Sequence, residues 1–449
     1  MKKRFDLSYL LLVPLILRAC SPWFQYRSKA IIIVPFFVLW YFFQIAKPVR
    51  FNLRLWFNAR KMYFLFCGAL VVFFGLLPLL YGGVDLNAHV GRGIFNKSSV
   101  TGLVMRLAFV FIVYWSIIRH KFKELRFLGI LVLLSLLQIG VATLLFGDEV
   151  AGGASRAMVA IDNGDLAMGS TKLSLYEGAQ VIGEYGLGGY FYAYLAAFLT
   201  PAFFYSAFKI PSKSLKILCL MTAFASMVIV FKGGLQTPII VLVLGLLMLV
   251  CAVLFKLKKG LIVLGGVAML GVALFIVHPK CYAFIGPVLR GAAELTEKIE
   301  YRERLVSLAA AVEGDKLTYA YQRYRLQARS WKGFCEHPIL GGGPEADMGG
   351  HSELLDTMSC HGLVGLLFFI FLFVYFYKFN TALGRALLGK EWLTMVFGYT
   401  GLFIFTSITN PVNILPPVII LIFPALALSY PGAPLDGSVC KEGEKPCLR

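Results

Sequence analysis

A chain of 449 residues that is 59% hydrophobic and only 15% charged has too little polar surface for a soluble fold of its length. Its formal net charge of +19 does not point to nucleic acid, because Lys and Arg gather in short clusters between apolar runs rather than in a stripe interleaved with stacking aromatics. The nine Cys include no C-x-x-C pair and give a metal site little support, and no metal or cofactor is expected.

Apolar runs of membrane-crossing length recur along the chain. In order, the predicted spans are 7–24, 31–46, 62–80, 100–118, 127–146, 186–208, 215–231, 235–255, 260–277, 354–377, 391–409 and 414–430. The first keeps Arg18 in its apolar run and lacks a small-residue cleavage site, so it reads as a span rather than a signal peptide. Orientation supports counting it. With a cytoplasmic N-terminus, the segment holding Lys47, Arg50, Arg54, Arg60 and Lys61 is cytoplasmic only if 7–24 crosses. The next cytoplasmic connections, 119–126, 209–216, 256–259 and 378–390, are then all basic, as the positive-inside rule requires. The fold class is therefore an all-α integral membrane protein, a single polytopic membrane domain over 1–449 with about twelve transmembrane helices and both termini cytoplasmic. A β-barrel is disfavoured, because its strands alternate apolar and polar residues. The predicted span centres hold almost no ionisable residues.

Two external loops are long. The first, 147–185, is acid-rich. The second, 278–353, lies between the ninth and tenth predicted helices and reads as partly helical, over 294–308 and 319–334. Cys281 and Cys335 both fall in it, and whether they form a disulfide stays open.

The second half of this large loop changes character. Lys316, Arg323, Arg325, Arg329 and Lys332 occur with no acid among them. On a helix Arg325 and Arg329 lie one turn apart on one face, and each guanidinium is a fork of donors suited to phosphate oxygens. The same pair also fits a solvated face or pairing with loop acids. Next comes Ile339-Leu340-Gly341-Gly342-Gly343-Pro344, where glycines allow close backbone approach to a ligand or simply form a turn. His351-Ser352 follows, just before the tenth span, and reads either as a general base or as a structural histidine.

The order of these residues is informative. His351-Ser352, nine residues, then Gly362-Leu363-Val364-Gly365 fits the pattern H-[N/S/Q]-x9-G-x-x-[G/T/Y]. Arg325 precedes Gly341 by an R-x15-G spacing, and Trp331 through Gly343 fits a W…P-x-x-G-x-G string. With these motifs the chain resembles the O-antigen ligase and O-antigen polymerase superfamily of bacterial envelope enzymes. The motif-level likeness covers about 320–366, and the helix plan is similar over the whole chain. The family also places a basic residue externally between two mid-chain spans; here that position is Lys232, where Lys stands for the usual Arg and the preceding Ser is missing.

The resemblance implies a glycosyltransferase of the bacterial inner membrane, involved in lipopolysaccharide or other polysaccharide biosynthesis. Its donor would be a glycan on undecaprenyl diphosphate, and its acceptor a growing glycan (polymerase) or lipid A–core (ligase). The Arg325–Gly341 spacing leans toward polymerase. His351 would be the general base, and Arg325, Arg329 and Lys232 would hold the diphosphate beside Gly341 and Gly343, all in one cavity at the external face. A polysaccharide transporter or flippase is the competing class, disfavoured by the near absence of ionisable residues from the span centres.

Overall fold

A computed structural model describes residues 5–27, 30–47, 53–82, 97–146, 167–168, 171–172, 186–187, 190–233, 236–254, 285–295, 319–343, 348–350, 352–388, 392–409 and 415–429, with a few isolated positions between 302 and 346. A 3₁₀ turn over Leu7–Leu12 leads into α1, Val13–Cys20. There follow α2 (Pro22–Arg27), α3 (Ala30–Ala46), α4 (Leu53–Val71), a π-helical turn (Val72–Leu76), α5 (Leu77–Gly82), α6 (Lys97–Ile118) and α7 (Phe122–Phe146). A two-residue hairpin pairs β1 (Ala167–Met168) with β2 (Thr171–Lys172). The rest is α8 (Tyr190–Lys209), α9 (Lys213–Gly233), α10 (Gln236–Leu254), α11 (Ile285–Glu294), α12 (Tyr319–Glu336), α13 (Glu353–Leu388), α14 (Trp392–Thr409) and α15 (Leu415–Ala427).

The described residues are thus mainly helical, as expected, with one small hairpin among them inside the acid-rich loop. Among the described residues six helices are long and apolar enough to cross a membrane, from Leu55–Tyr81 to Glu353–Arg385. Shorter apolar helices are Leu7–Cys20, Ile33–Ala46 and Thr237–Val250. These are compatible with a multi-pass membrane protein, and helices suit that setting because they bond every internal N–H and C=O within the segment. The predicted span 260–277 lies outside the described residues.

Several boundaries differ from expectation. The first helix ends at Cys20, because Ser21 turns extended (φ −122°, ψ 116°) ahead of Pro22, and residues before proline avoid the helical region. In the large loop a helix covers Ile285–Glu294, ahead of the predicted 294–308, whose residues are described only in fragments. The second loop helix runs two residues past the predicted end, to Glu336.

α8 lies at the centre. It packs against α9, α10 and α15, and Phe198 stacks on Phe403 of α14 at 4.7 Å. Small residues let backbones approach there. A Cβ on Gly140 of α7 would sit 2.5 Å from Ala225 Cβ on α9, and one on Gly129 would sit 2.2 Å from the Pro424 carbonyl of α15. α13 runs antiparallel to α4 and α5: His361 meets Tyr81, Phe369 meets Phe73, and Phe376 and Phe379 meet Phe66. On the outside, Phe42, Phe43, Phe57 and Phe64 are exposed, an apolar surface that suits lipid rather than water.

These directions sort the helix ends into two sets. The start of the first helix, the end of α3 and the α6–α7 turn share one end, because the buried Asp6 carboxylate joins them. It accepts from Lys47 Nζ at 2.5 Å, Lys121 Nζ at 3.0 Å, Gln44 Nε2 at 3.3 Å and Ser8 Oγ at 2.7 Å. Its backbone N–H donates to Glu124 at 3.0 Å, and Arg119 reaches Gln44 at 2.9 Å. This is the arrangement required if the first segment crosses with its neighbours, and this end is called basic below. The α5–α6, α9–α10 and α12–α13 connections lie at the opposite end.

Burial raises the Asp6 pKa, but hydrogen bonds from Lys47, Ser8 and Lys121 more than offset it and hold the carboxyl well below the usual carboxylate range. A carboxyl lowered on folding stabilises fully above its unfolded value of about 3.9, and that contribution is lost as pH falls through the folded value. Asp6→Asn is therefore expected to lower the melting temperature in detergent at neutral pH. The gap from wild type should shrink steadily below pH about 4. A gap of constant size down to strongly acid pH would assign the loss to packing instead.

Candidate functional site

The two glycine-containing halves of the sequence motif meet at a break in α13. Gly362 takes φ 61° and ψ −149°, a conformation that interrupts the helix and that only glycine adopts freely. The break frees backbone groups, and the 338–343 loop takes them up. Leu363 N–H donates to the Pro338 carbonyl at 2.8 Å instead of to an intrahelical partner. The Ser359 carbonyl, which would have been that partner, accepts from Gly342 N–H at 2.9 Å. Cys360 Sγ donates to the Gly343 carbonyl at 3.0 Å. The two strands of backbone are nearly in contact: a Cβ on Gly341 (φ 78°) would lie 2.3 Å from the Cys360 carbonyl, and one on Gly362 would lie 2.4 Å from that of Ile339.

Nearly two turns earlier, Asp356 ties α12 to α13. Its carboxylate is buried (1% exposed) and accepts from Ser330 Oγ of α12 at 2.6 Å, from Gly350 N–H at 3.3 Å and from Ser352 N–H at 3.3 Å. Ser330 Oγ in turn accepts from Gly349 N–H at 2.9 Å. Gly349 presses on α12 so closely that a Cβ would meet the Leu326 carbonyl at 2.0 Å. Ser352 caps α13 by accepting from Leu355 N–H at 3.2 Å. One carboxylate thus gathers the arginine-bearing helix, the 349–352 connection and the head of α13.

The sequence-predicted residues are placed as follows. Arg325 and Arg329 are both exposed on α12, whose Ser330 and Gly333 are buried, with Gly333 one turn on from Arg329. Leu326, next to Arg325, receives Gly349. Gly341 and Gly343 form the loop at the α13 break, and both have positive φ. Lys232 is half-buried at the end of α9, at the same end of the helices as the loop. His351 lies outside the described residues; Gly350 and Ser352 on either side of it are bonded to Asp356. The structure therefore brings Gly341 and Gly343 to Gly362, and the Arg325 helix to the 349–352 connection. Lys232 is placed at that same end of the helices. Cys335 is a free, exposed thiol, and Cys281 lies outside the described residues.

Sequence reasoning missed three participants. Asp356 and Ser330 were not singled out, although Ser352 followed by an acid four residues on resembles the start of a capped helix. His361, directly before Gly362, is 6% exposed, packs edge to face on Tyr81 at 4.7 Å, and leaves Nδ1 without a hydrogen-bond partner among the described residues. Its only signal was its place beside the motif glycine. Comparison with known proteins adds no identification: no family model matches the chain, and no curated protein matches it.

Gly362→Ala must force a side chain into the 338–343 loop as well as an unfavourable φ, a backbone penalty of about 1–3 kcal/mol before any clash. A marked fall in detergent melting temperature is expected. Gly401→Ala in α14, where a Cβ meets nothing within 4 Å, should be neutral or slightly stabilising. Equal melting temperatures for the two variants would contradict this account of the break.

Proposed function

We propose that the protein is a membrane glycosyltransferase that takes an undecaprenyl-diphosphate-linked glycan at the external leaflet of a bacterial cytoplasmic membrane and joins it to an acceptor glycan, in the manner of the O-antigen polymerases. The observation that supports it most is the mutual bonding of the 338–343 loop and the Gly362 break. Two motif segments that resemble the family's in sequence are also one unit in space, and the arginine helix runs directly into that unit. The acid-compensated basic cluster at the other end fits a cytoplasmic side there and an external side for the site.

In this reading an acceptor hydroxyl attacks the anomeric carbon of the donor. A new glycosidic C–O bond forms, the C–O bond to the diphosphate breaks, and the acceptor proton passes to His351 as general base. The leaving diphosphate gains charge as the bond breaks. Arg325, Arg329 and Lys232 favour the transition state over the bound substrate because they act on that growing charge. Gly341 and Gly343 let backbone approach the sugar–phosphate junction without a side chain between. Asp356, by holding Gly350 and Ser352, fixes the connection that bears His351. The Arg325–Gly341 spacing favours polymerisation over transfer to lipid A–core.

Purified protein in detergent, given lipid-linked repeat units, is expected to lengthen the glycan and release undecaprenyl diphosphate. His351→Ala should reduce the rate by about 10²- to 10⁴-fold at unchanged membrane abundance. Undiminished turnover in that variant removes the general-base assignment, and absence of transfer by the wild type removes the reading itself.

A second comparison separates bidentate binding from diffuse attraction. Lys332 is 78% exposed and lies 3.7 Å from Glu336, so its charge is already partly compensated. Arg325→Lys keeps the charge but loses the fork. Loss of one such donor costs on the order of 10²- to 10³-fold, so Arg325→Lys should slow transfer far more than Lys332→Ala. Equal rates in the two variants would point to nonspecific attraction.

A further inference from the structure

The span read as 100–118 contains Arg106, and the structure makes it an exception to the near absence of charge from the span centres. α6 begins at Lys97, so Arg106 lies about 14 Å along the helix from its start at 1.5 Å per residue. The side chain leans back toward that start. Its guanidinium carbon lies 3.9 Å from where a Gly102 Cβ would stand, one turn nearer the end that holds the glycine loop. The same carbon lies 3.7 Å from the centroid of the Phe74 ring. Phe74 is the middle residue of the π-helical turn at Val72–Leu76, and such turns recur at functional positions because the extra residue re-aims side chains.

Among the described residues no hydrogen bond or ion pair reaches the Arg106 guanidinium. Among the described residues Glu353, at the head of α13, is the carboxylate whose field reaches it, and no hydrogen bond or ion pair joins the two. A guanidinium carries five N–H donors, and one in a membrane span without acceptors is costly. Arg106 is half-buried, so its donors remain reachable. The acceptor that matches a planar fork of donors is a phosphoryl oxygen, and at this depth the phosphates available belong to lipids that enter sideways between helices.

We propose that Arg106, backed by the Phe74 ring and the open surface of Gly102, is an intramembrane binding site for a lipid phosphate. The site needs only a phosphate at the head of a hydrophobic chain, isoprenoid or glycerolipid, and it stands whether or not the protein transfers glycan. Phe74 fixes the guanidinium on one side, and Gly102 leaves the space beside it clear.

The test is native mass spectrometry of the whole protein in detergent, titrated with undecaprenyl phosphate, phosphatidylglycerol and, as uncharged control, undecaprenol. Arg106→Gln is expected to weaken binding of a lipid phosphate by about 10- to 100-fold and to leave undecaprenol binding unchanged. A loss confined to undecaprenyl phosphate supports the site with an isoprenoid ligand, and a loss confined to or shared by phosphatidylglycerol supports it with a glycerolipid. Unchanged affinity for both phosphates overturns the proposal. Phe74→Leu, which keeps the charge and removes its ring, guards against a folding defect in the first variant. It should weaken the same phosphate several-fold, and if Arg106→Gln does not fold, unchanged affinity in Phe74→Leu overturns the proposal.

Discussion

Where α13 breaks at Gly362, an N–H and a C=O that a continuous helix would have joined are left without each other. Left unbonded, each would forfeit a hydrogen bond that a continuous helix supplies. The 338–343 loop answers both, through the Pro338 carbonyl and the Gly342 N–H. The break and the loop therefore require each other. Because the loop follows α12 directly, this exchange also anchors the arginine helix to the helix bundle. Asp356 and Ser330 make a second tie between the same helices. Two such ties fix the relation of α12 to α13 far better than either alone.

Much of the fold was legible because hydropathy sets where a chain can cross an apolar layer. The runs at 100–118, 127–146, 215–231 and 235–255 each fall within or largely overlap a described helix. What hydropathy cannot see is local backbone conformation. The stop at Ser21 and the π-helical turn at Val72–Leu76 occur within runs whose apolar character does not change enough to mark them, while α13 stays helical to Leu388 through the basic stretch that ends the predicted span at 377. The Asp6 cluster was out of reach for another reason. Its bond to Glu124 joins positions 118 apart in the chain, and no single-sequence pattern announces such a pair. The positive-inside pattern nonetheless anticipated that Lys47 and Lys121 would share an end, because the same basic residues that orient the helices also meet one another's counter-charges there.

The glycines show how a motif can be readable while its physical role is not. Spacing singled out Gly341, Gly343 and Gly362, and for the 341–343 run the expectation was either close approach to a ligand or a simple turn. The structure gives two of them a prior duty. Gly341 and Gly362 leave room for each other's backbone, which any side chain would fill. This glycine pattern is therefore as well explained by a helix-to-loop junction as by a ligand cradle. Gly343 differs: a Cβ there would meet only the Tyr81 carbonyl, at 3.7 Å, so it is the glycine of the three with space beside it.

Particular cations at the two ends of the helices are placed differently. At the basic end Lys47 and Lys121 close on Asp6, and Lys121 lies 3.7 Å from Glu124. Those charges are spent on the fold, binding three chain segments into one corner, and an incoming anion would have to displace a buried carboxylate to reach them. Toward the other end, Arg325 and Arg106 have no ion pair among the described residues, one exposed on α12 and the other half-buried within α6. A guanidinium kept clear of carboxylates has its donors free for an anion from outside the chain. Under the proposed function that division has a use: acids neutralise the cations that fix the structure, while Arg325 and Arg106 stay available to a phosphate-bearing lipid.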